Sequence, residues 1–290
     1  MPADALFSAL SRLGIDVLDR SGRPVTGGSI SRTTRFETSR GPIFLKLEPH
    51  DAADRLEAEA DGLDALRRAG AVAIPAVLGC GVAGPHAFLA LEWIELGAKT
   101  EDAARRVGVA LAELHRSIGD AFGWHRDNYI GRTPQPNGPL PSWPEFFRKR
   151  RLEHQLALAR RNGLGRDALD LADALLDRLD EFFVGHSPEP SLLHGDLWGG
   201  NWGADRSGKP YLFDPAVYYG DREADIAMTR LFGGFGRAFQ IAYDEAWPPA
   251  PGRDRRIDLY NLYHLLNHFN LFGGGYAADV HACLRRLLRR

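Results

Sequence analysis

Strand-forming sequence is nearly confined to the first third of this chain, and that asymmetry narrows its fold more than any other feature. The segments "ISRTTRF" and "PIFLKL" carry β-branched and aromatic residues in partial alternation, and "SRGP" separates them as a turn signal. "DRLEAEADGLDALRRAG" follows with apolar residues near helical spacing and a glycine stop at Gly70. "IPAVLGCGVAGPHAFLALEWIE" then reads as two short strands about a Gly-Pro turn. After Gly97 the period changes, and "EDAARRVGVALAELHRSIG", "FFRKRRLEHQLALARRNG", "RDALDLADALLDRLDEFFVG", "GRAFQIAYDEAW" and "RRIDLYNLYHLLNHFNLF" all read as helices. The Pro-rich "RTPQPNGPLPSWPEF" cannot be a regular helix and is a candidate wall or lid. The expected fold is α+β and two-lobed. Residues 1–96 form a small N-terminal β-sheet lobe with one helix, for nucleotide, and residues 97–290 a larger, mainly helical lobe for catalysis and substrate.

One dense stretch points to chemistry. In "LLHGDLWGGNWG" an apolar approach ends in His194, Asp196 and Asn201 among glycines and tryptophans, and "PYLFD" closes shortly afterwards on Asp214. Phosphoryl transfer needs a cradle for phosphates, a cation, metal ligands and a carboxylate that orients the acceptor hydroxyl. Asp196 suits the last role. Asn201, five residues on, offers an amide oxygen and Asp214 an anionic oxygen, the hard donors that Mg²⁺ prefers. An H-x-D-x-x-x-x-N loop followed by a strand-ending Asp has the spacing of a kinase catalytic loop and its metal aspartate.

The remaining parts have weaker signals. "TGGSIS" offers Gly27, Gly28 and Ser29 for a phosphate-binding turn, although no Walker A pattern is present. Lys46 lies in the apolar strand "IFLKL" and either faces solvent or binds phosphate; its partner would be Glu57 or, preferably, Glu59 on the next helix. His194 is expected to brace the loop. Asp225, opening the helix in "GDREADIAM", is either a cap or a support for the loop backbone, with support preferred. Trp198 could cover a sugar or anchor the core, and His268 on its amphipathic helix is by default a core histidine.

Composition excludes several other classes. A formal net charge of −2 offers no overall attraction to nucleic acid or membrane, and the basic "LRRLLRR" suits a helix C-terminus. The two cysteines, Cys80 and Cys283, form no zinc or disulfide pattern. Neither a signal-peptide pattern nor a membrane-length apolar run occurs, so a cytoplasmic enzyme is expected.

The motifs together resemble the fructosamine/ketosamine-3-kinase family. "LLHGDLWGGN", "FDPAVYYGDREADIAM", "LFGGF", "AFQIAY", "LNHFNLFG", "FGWHRDNYIG", "SWPEFF" and the Lys46 strand carry the likeness from about residue 20 to the C-terminus. That family is related to aminoglycoside phosphotransferases and has a protein-kinase-like fold. Its members use ATP and Mg²⁺ to phosphorylate the 3-hydroxyl of a ketosamine, free or on glycated protein lysines; the product decomposes and releases the amine. The resemblance implies that Asp196 is the catalytic base and that Asn201 and Asp214 hold Mg²⁺. It also makes Lys46 and Glu59 the phosphate-positioning pair, Gly27, Gly28 and Ser29 the phosphate loop, and Glu92 and Ile94 the adenine-binding hinge. Trp198 and His268 fall at sugar-pocket positions. Ser29 stands where several relatives carry cysteine, so thiol regulation through that loop is not expected. The rivals are a kinase of this fold for another hydroxyl acceptor, such as an aminoglycoside, sugar or amino alcohol, and a non-catalytic nucleotide-binding protein.

Overall fold

The structure, a computed structural model, describes residues 2–25 and 32–289. Five antiparallel strands build the small lobe: β1 (Arg23–Pro24), β2 (Arg32–Thr38), β3 (Gly41–Pro49), β4 (Val77–Ala83) and β5 (His86–Glu92), in the order β1-β2-β3-β5-β4. Period-2 geometry sorts the side chains of β3. Ile43 and Leu45 point to one face, where they meet Leu6 and Leu10 of helix α1 (Pro2–Arg12), the amphipathic start of the chain. Lys46, opposite Thr33 and Leu89 in the ladder, points to the other face, which helix α2 (Ala53–Ala69) covers with Leu56, Leu63 and Leu66. The strand alternation therefore turns Lys46 inward, and the solvent-facing alternative is removed. Gly70 ends α2 with φ +72°, the left-handed cap that glycine adopts at little cost.

The larger lobe is mainly helical. Its long helices are α3 (Glu101–Leu114), α5 (Glu153–Arg161), α6 (Arg166–Asp177), α7 (Glu223–Leu231), α8 (Gly236–Ala246), α9 (Arg253–Phe272) and α10 (Ala277–Arg289); the short α4 (Trp143–Phe146) continues into a π-helical turn before α5. Thr100 starts α3 by accepting a hydrogen bond from the Ala103 N–H, satisfying one of the orphan donors of the first turn. Three short strand pairs cross the lobe: β6 (Asn128–Ile130) with β7 (Thr133–Gln135), β8 (Ser191–Leu193) with β11 (Tyr218–Gly220), and β9 (Trp202–Ala204) with β10 (Pro210–Leu212). The Pro-rich segment is a wall, for Thr133, Gln135 and Asn137 are buried in it. Tyr263 donates to Gln135, and Gln135 and Asn137 both donate to the Asn128 side-chain oxygen, so these interior polar groups satisfy one another.

The lobes meet where α2 crosses β6 and the segment before it. Trp124 donates to Asp61 at 2.8 Å, and Tyr129 donates to Asp54 at 2.9 Å beside the Arg126–Asp54 ion pair. Gly62 brings α2 against the loop before β11, where an added Cβ would lie 3.2 Å from Val217. The large lobe thus grips α2 along two turns.

Helices α3 and α8 pack backbone to backbone at Gly108, where a Cβ would stand 2.6 Å from the Phe239 carbonyl oxygen. Alanine is the better helix former by about 1 kcal/mol. Gly108→Ala is nonetheless expected to destabilise the protein by about 1–3 kcal/mol through overpacking. Denaturant unfolding measures this, and a variant as stable as the wild type would contradict the close approach.

Candidate active site

Lys46 is 5 % exposed and reaches two carboxylates, Glu59 Oε1 at 2.7 Å and Asp214 Oδ1 at 2.6 Å. Glu59 faces inward from α2 while Glu57 is exposed, which decides between the two candidates. Burial alone would lower the Lys46 pKa, but Asp214 and Glu59 outweigh it and raise it, so the ammonium stays charged. A single cation therefore ties the sheet, α2 and the loop beyond β10 to one point.

The loop after β8 is specified by its backbone. Asp225, in the first turn of α7, accepts from the His194 N–H at 2.7 Å and the Gly195 N–H at 2.9 Å. It supports the loop and does not cap α7, whose preceding residue is Arg222. His115, at the end of α3, joins Asp225 at 3.2 Å and Tyr243 at 2.8 Å, and Arg222 reaches the same tyrosine hydroxyl. The His115 ring thus bridges the Asp225 carboxylate at Nε2 and the Tyr243 hydroxyl at Nδ1. Burial would raise the Asp225 pKa, but His115, His194 and the Gly195 N–H hold it below the ordinary range. Gly195 has φ +83°, and a Cβ there would sit 2.0 Å from the Ala216 carbonyl oxygen, so no other residue fits. His194 Nε2 lies 2.7 Å from the Phe213 carbonyl, bracing the loop against the Asp214 segment.

These supports bring the three central side chains together. Asn201 Nδ2 donates to the Asp196 carbonyl at 2.9 Å, approaches Asp196 Oδ2 at 3.3 Å and the Asp214 carbonyl at 3.4 Å. Its amide nitrogen is thus spent on the loop and its oxygen is turned the other way. Asp214 lies just past β10, which ends at Leu212, and has φ +52°, a left-handed conformation uncommon for a non-glycine residue. Burial and the Asp214 and Asp225 charges raise the Asp196 pKa to about 7, against the Asn201 hydrogen bond.

In front of these residues a cleft of about 340 Å³ opens between the lobes. Phe44, Leu63, Leu91 and Phe213 form apolar walls, and Glu92, Ile94, Trp198, Asn201 and Asp214 also line it. Glu92 is tied back on both sides, donating its N–H to the Ala76 carbonyl at 2.9 Å and accepting the Ala76 N–H on its carboxylate at 3.1 Å. The ring of His268 lies 4.7 Å from Phe232, 5.1 Å from Tyr276 and 5.7 Å from Phe272. Phe232 runs on into Gly233 and Gly234, which pack against Gly199 beside Trp198, so Trp198 and His268 flank one loop. Gly27, Gly28 and Ser29 lie outside the described residues.

Several contributors escaped sequence reasoning. His115, Asp54 and Asp61 act through partners about a hundred, seventy and sixty residues away, and no local pattern marks them. Lys99 lines the cleft and donates to the Gly199 carbonyl at 2.6 Å. Its only sequence signal was its place just beyond the hinge.

Comparison with known proteins finds relatives over nearly the whole chain. The fructosamine kinase family model matches residues 11–290. A Synechocystis sp. protein named as a ketoamine kinase is 43% identical over 270 residues, covering 92% of this chain and 90% of that one. The chloroplastic protein-ribulosamine 3-kinase of Oryza sativa subsp. indica is 37% identical, covering 91% of this chain and 78% of its own. A crystal structure named as a fructosamine-3-kinase from Thermobifida fusca superposes with a TM-score of 0.88 at 34% identity, covering 98% of this chain and 99% of that one.

Asp225→Asn keeps the shape of the side chain but places an N–H₂ group among donors that need an acceptor. The expected loss is about 2–3 kcal/mol of unfolding free energy. Because the folded pKa of Asp225 is depressed, this difference is full above its unfolded value near 4 and shrinks as pH falls through the folded value. Denaturation of both proteins at several pH values measures it; a gap that grows on acidification would contradict the assigned hydrogen bonds.

Proposed function

The chain belongs to the fructosamine kinase family, and from that premise we propose that it transfers the γ-phosphoryl group of ATP to the 3-hydroxyl of a ketosamine. The observation that carries this is the convergence on one point of Lys46, Asp196, Asn201 and Asp214. In the proposed division of labour, residues 1–96 serve the nucleotide and residues 97–290 catalysis and substrate, with Glu92 and Ile94 presenting backbone groups to adenine.

Asp196 orients the acceptor hydroxyl and takes its proton late, since the loose transition state of phosphoryl transfer asks for little early deprotonation. A carboxylate whose surroundings raise its proton affinity is suited to that transfer. Lys46, clamped by Glu59, draws on the phosphate oxygens beside Asp214. Asn201 and Asp214 are the residues that would hold Mg²⁺. The donor set fits it, because the Asn201 amide oxygen is turned away from its loop and Asp214 has a carboxylate oxygen beyond the one bound to Lys46. When bound, the ion neutralises charge on the phosphates. Two carboxylates near one another without it would also repel, and so raise the Asp196 pKa further than the loaded site does.

Trp198 and His268 are proposed to contact the sugar. The rings about His268 are aromatic, not acidic, which disfavours a polycationic aminoglycoside as the acceptor. Trp198 and Phe272 are 40 % and 54 % exposed, an open approach consistent with ketosamines on protein lysines as well as free ones. No helix among the described residues is long and apolar enough to cross a membrane.

Ketosamine-dependent ADP formation tests the reading. Asp196→Ala should lower turnover by about 10³-fold or more while nucleotide binding, measured by calorimetry, is little changed. Near-normal turnover would remove Asp196 as the base. Chelation of divalent cations should abolish activity and their return restore it, whereas activity that survives chelation would remove Asn201 and Asp214 as metal ligands.

A further inference from the structure

Lys99 is the only lysine or arginine among the described residues lining the cleft in front of Asp214. It follows the hinge directly, and its ammonium group reaches across to the other side, 2.6 Å from the Gly199 carbonyl oxygen. The same group lies 4.9 Å from the centre of the Trp202 ring. No carboxylate among the described residues pairs with it, and partial burial lowers its pKa. Most exposed lysines leave the ammonium group in water, and Lys99 is itself an exposed residue. This one is spent on a single backbone carbonyl in the middle of the turn that follows Asp196.

That turn is gripped from the opposite side as well. The Asn201 N–H closes it by donating to the Trp198 carbonyl at 2.9 Å. At Gly199 a Cβ would lie 2.7 Å from the Gly233 carbonyl oxygen, so the loop after α7 presses directly on the peptide that Lys99 holds. Trp202 donates from its indole nitrogen to the Gly234 carbonyl at 3.1 Å and stacks on Phe235, completing the bracket. Trp198 and Asn201 ride on the two ends of the bracketed turn.

We infer that Lys99 is a positioning residue for phosphoryl transfer, which pins the Gly199 peptide to the hinge and thereby sets the placement of Asn201 and Trp198. It acts through the turn, without itself touching the metal or the transferred group. The inference rests on the kinase reading above, and it adds a link between the hinge, where nucleotide enters, and the loop that would hold the cation. The charge on Lys99 also strengthens its bond to the carbonyl, since charge-assisted hydrogen bonds exceed neutral ones.

The test compares the full chain with Lys99→Met, which keeps the aliphatic stem over Trp202 but cannot donate, and Lys99→Arg, which still donates. Binding of Mn²⁺ to the complex with a non-hydrolysable ATP analogue, followed by electron paramagnetic resonance, reads the cation site without turnover. In Lys99→Met the Mn²⁺ affinity should fall by about tenfold or more, the size typical of losing a residue that orients a metal ligand. Metal-free nucleotide affinity should be unchanged, and Lys99→Arg should recover most of the loss. Unchanged Mn²⁺ affinity in Lys99→Met, or a Lys99→Arg protein as weak as Lys99→Met, overturns the inference. A fall confined to metal-free nucleotide affinity overturns it too, by making Lys99 a direct nucleotide contact. Failure of the kinase reading shows separately, as a wild-type protein with no cation-dependent phosphotransfer to a ketosamine.

Discussion

The rest of the site depends on one buried ammonium group. Lys46 holds Glu59 from α2 and Asp214 from the loop beyond β10 within 2.7 Å, so three separately folded pieces of chain are in register only when this cation lies between them. Removing one partner from such a cluster strands a buried charge, which typically costs about 3–5 kcal/mol, whereas the intact cluster contributes little net stability. Its value is geometric. It fixes where negative charge can be received, and it leaves the other Asp214 oxygen pointing elsewhere.

Such a cluster would fail if α2 could slide, and the large lobe prevents that. Asp54 and Asp61, seven residues apart on α2, are held by Trp124 and Arg126 from the segment before β6 and by Tyr129 of β6 itself. The helix that carries Glu59 is therefore anchored on both sides of it. The loop bearing Asp196 is held in the same spirit, by its backbone. Asp225 takes two successive N–H groups, and Gly195 and Gly199 pass so close to neighbouring carbonyls that side chains there are excluded. Catalysis of phosphoryl transfer is largely positioning and electrostatics, and this protein spends its buried polar groups on holding backbone still.

The broad plan was legible in the sequence for a physical reason: the longer period-2 segments lie before the hinge and most period-3.6 segments after it, and Gly70 and Gly273 fall where α2 and α9 end. Asp196, Asn201 and Asp214 were legible as a group because one loop and the strand end beside it carry all three. Lys46 was ambiguous from its strand alone, since alternation says that it faces away from Leu45 but not which face is covered. Burial by α2 settled that, and with it the choice of Glu59 over Glu57. His115, Lys99 and the α2 clamp were illegible because each works on a partner far away in the chain, where only the folded path brings them together. Trp198 and His268 were expected at one pocket; Trp198 lines the cleft, whereas His268 lies against Phe232, whose following glycines pack on Gly199.

The most direct test of the account is where the phosphate goes. Ribulose-lysine and fructose-lysine would each be incubated with the protein, ATP and Mg²⁺, and the product examined by phosphorus NMR. The account predicts a new monoester on the 3-hydroxyl of at least one of the two, formed by the wild type and not by Asp196→Ala. An ester at another hydroxyl, or no ester from either substrate while the nucleotide still binds, would contradict it.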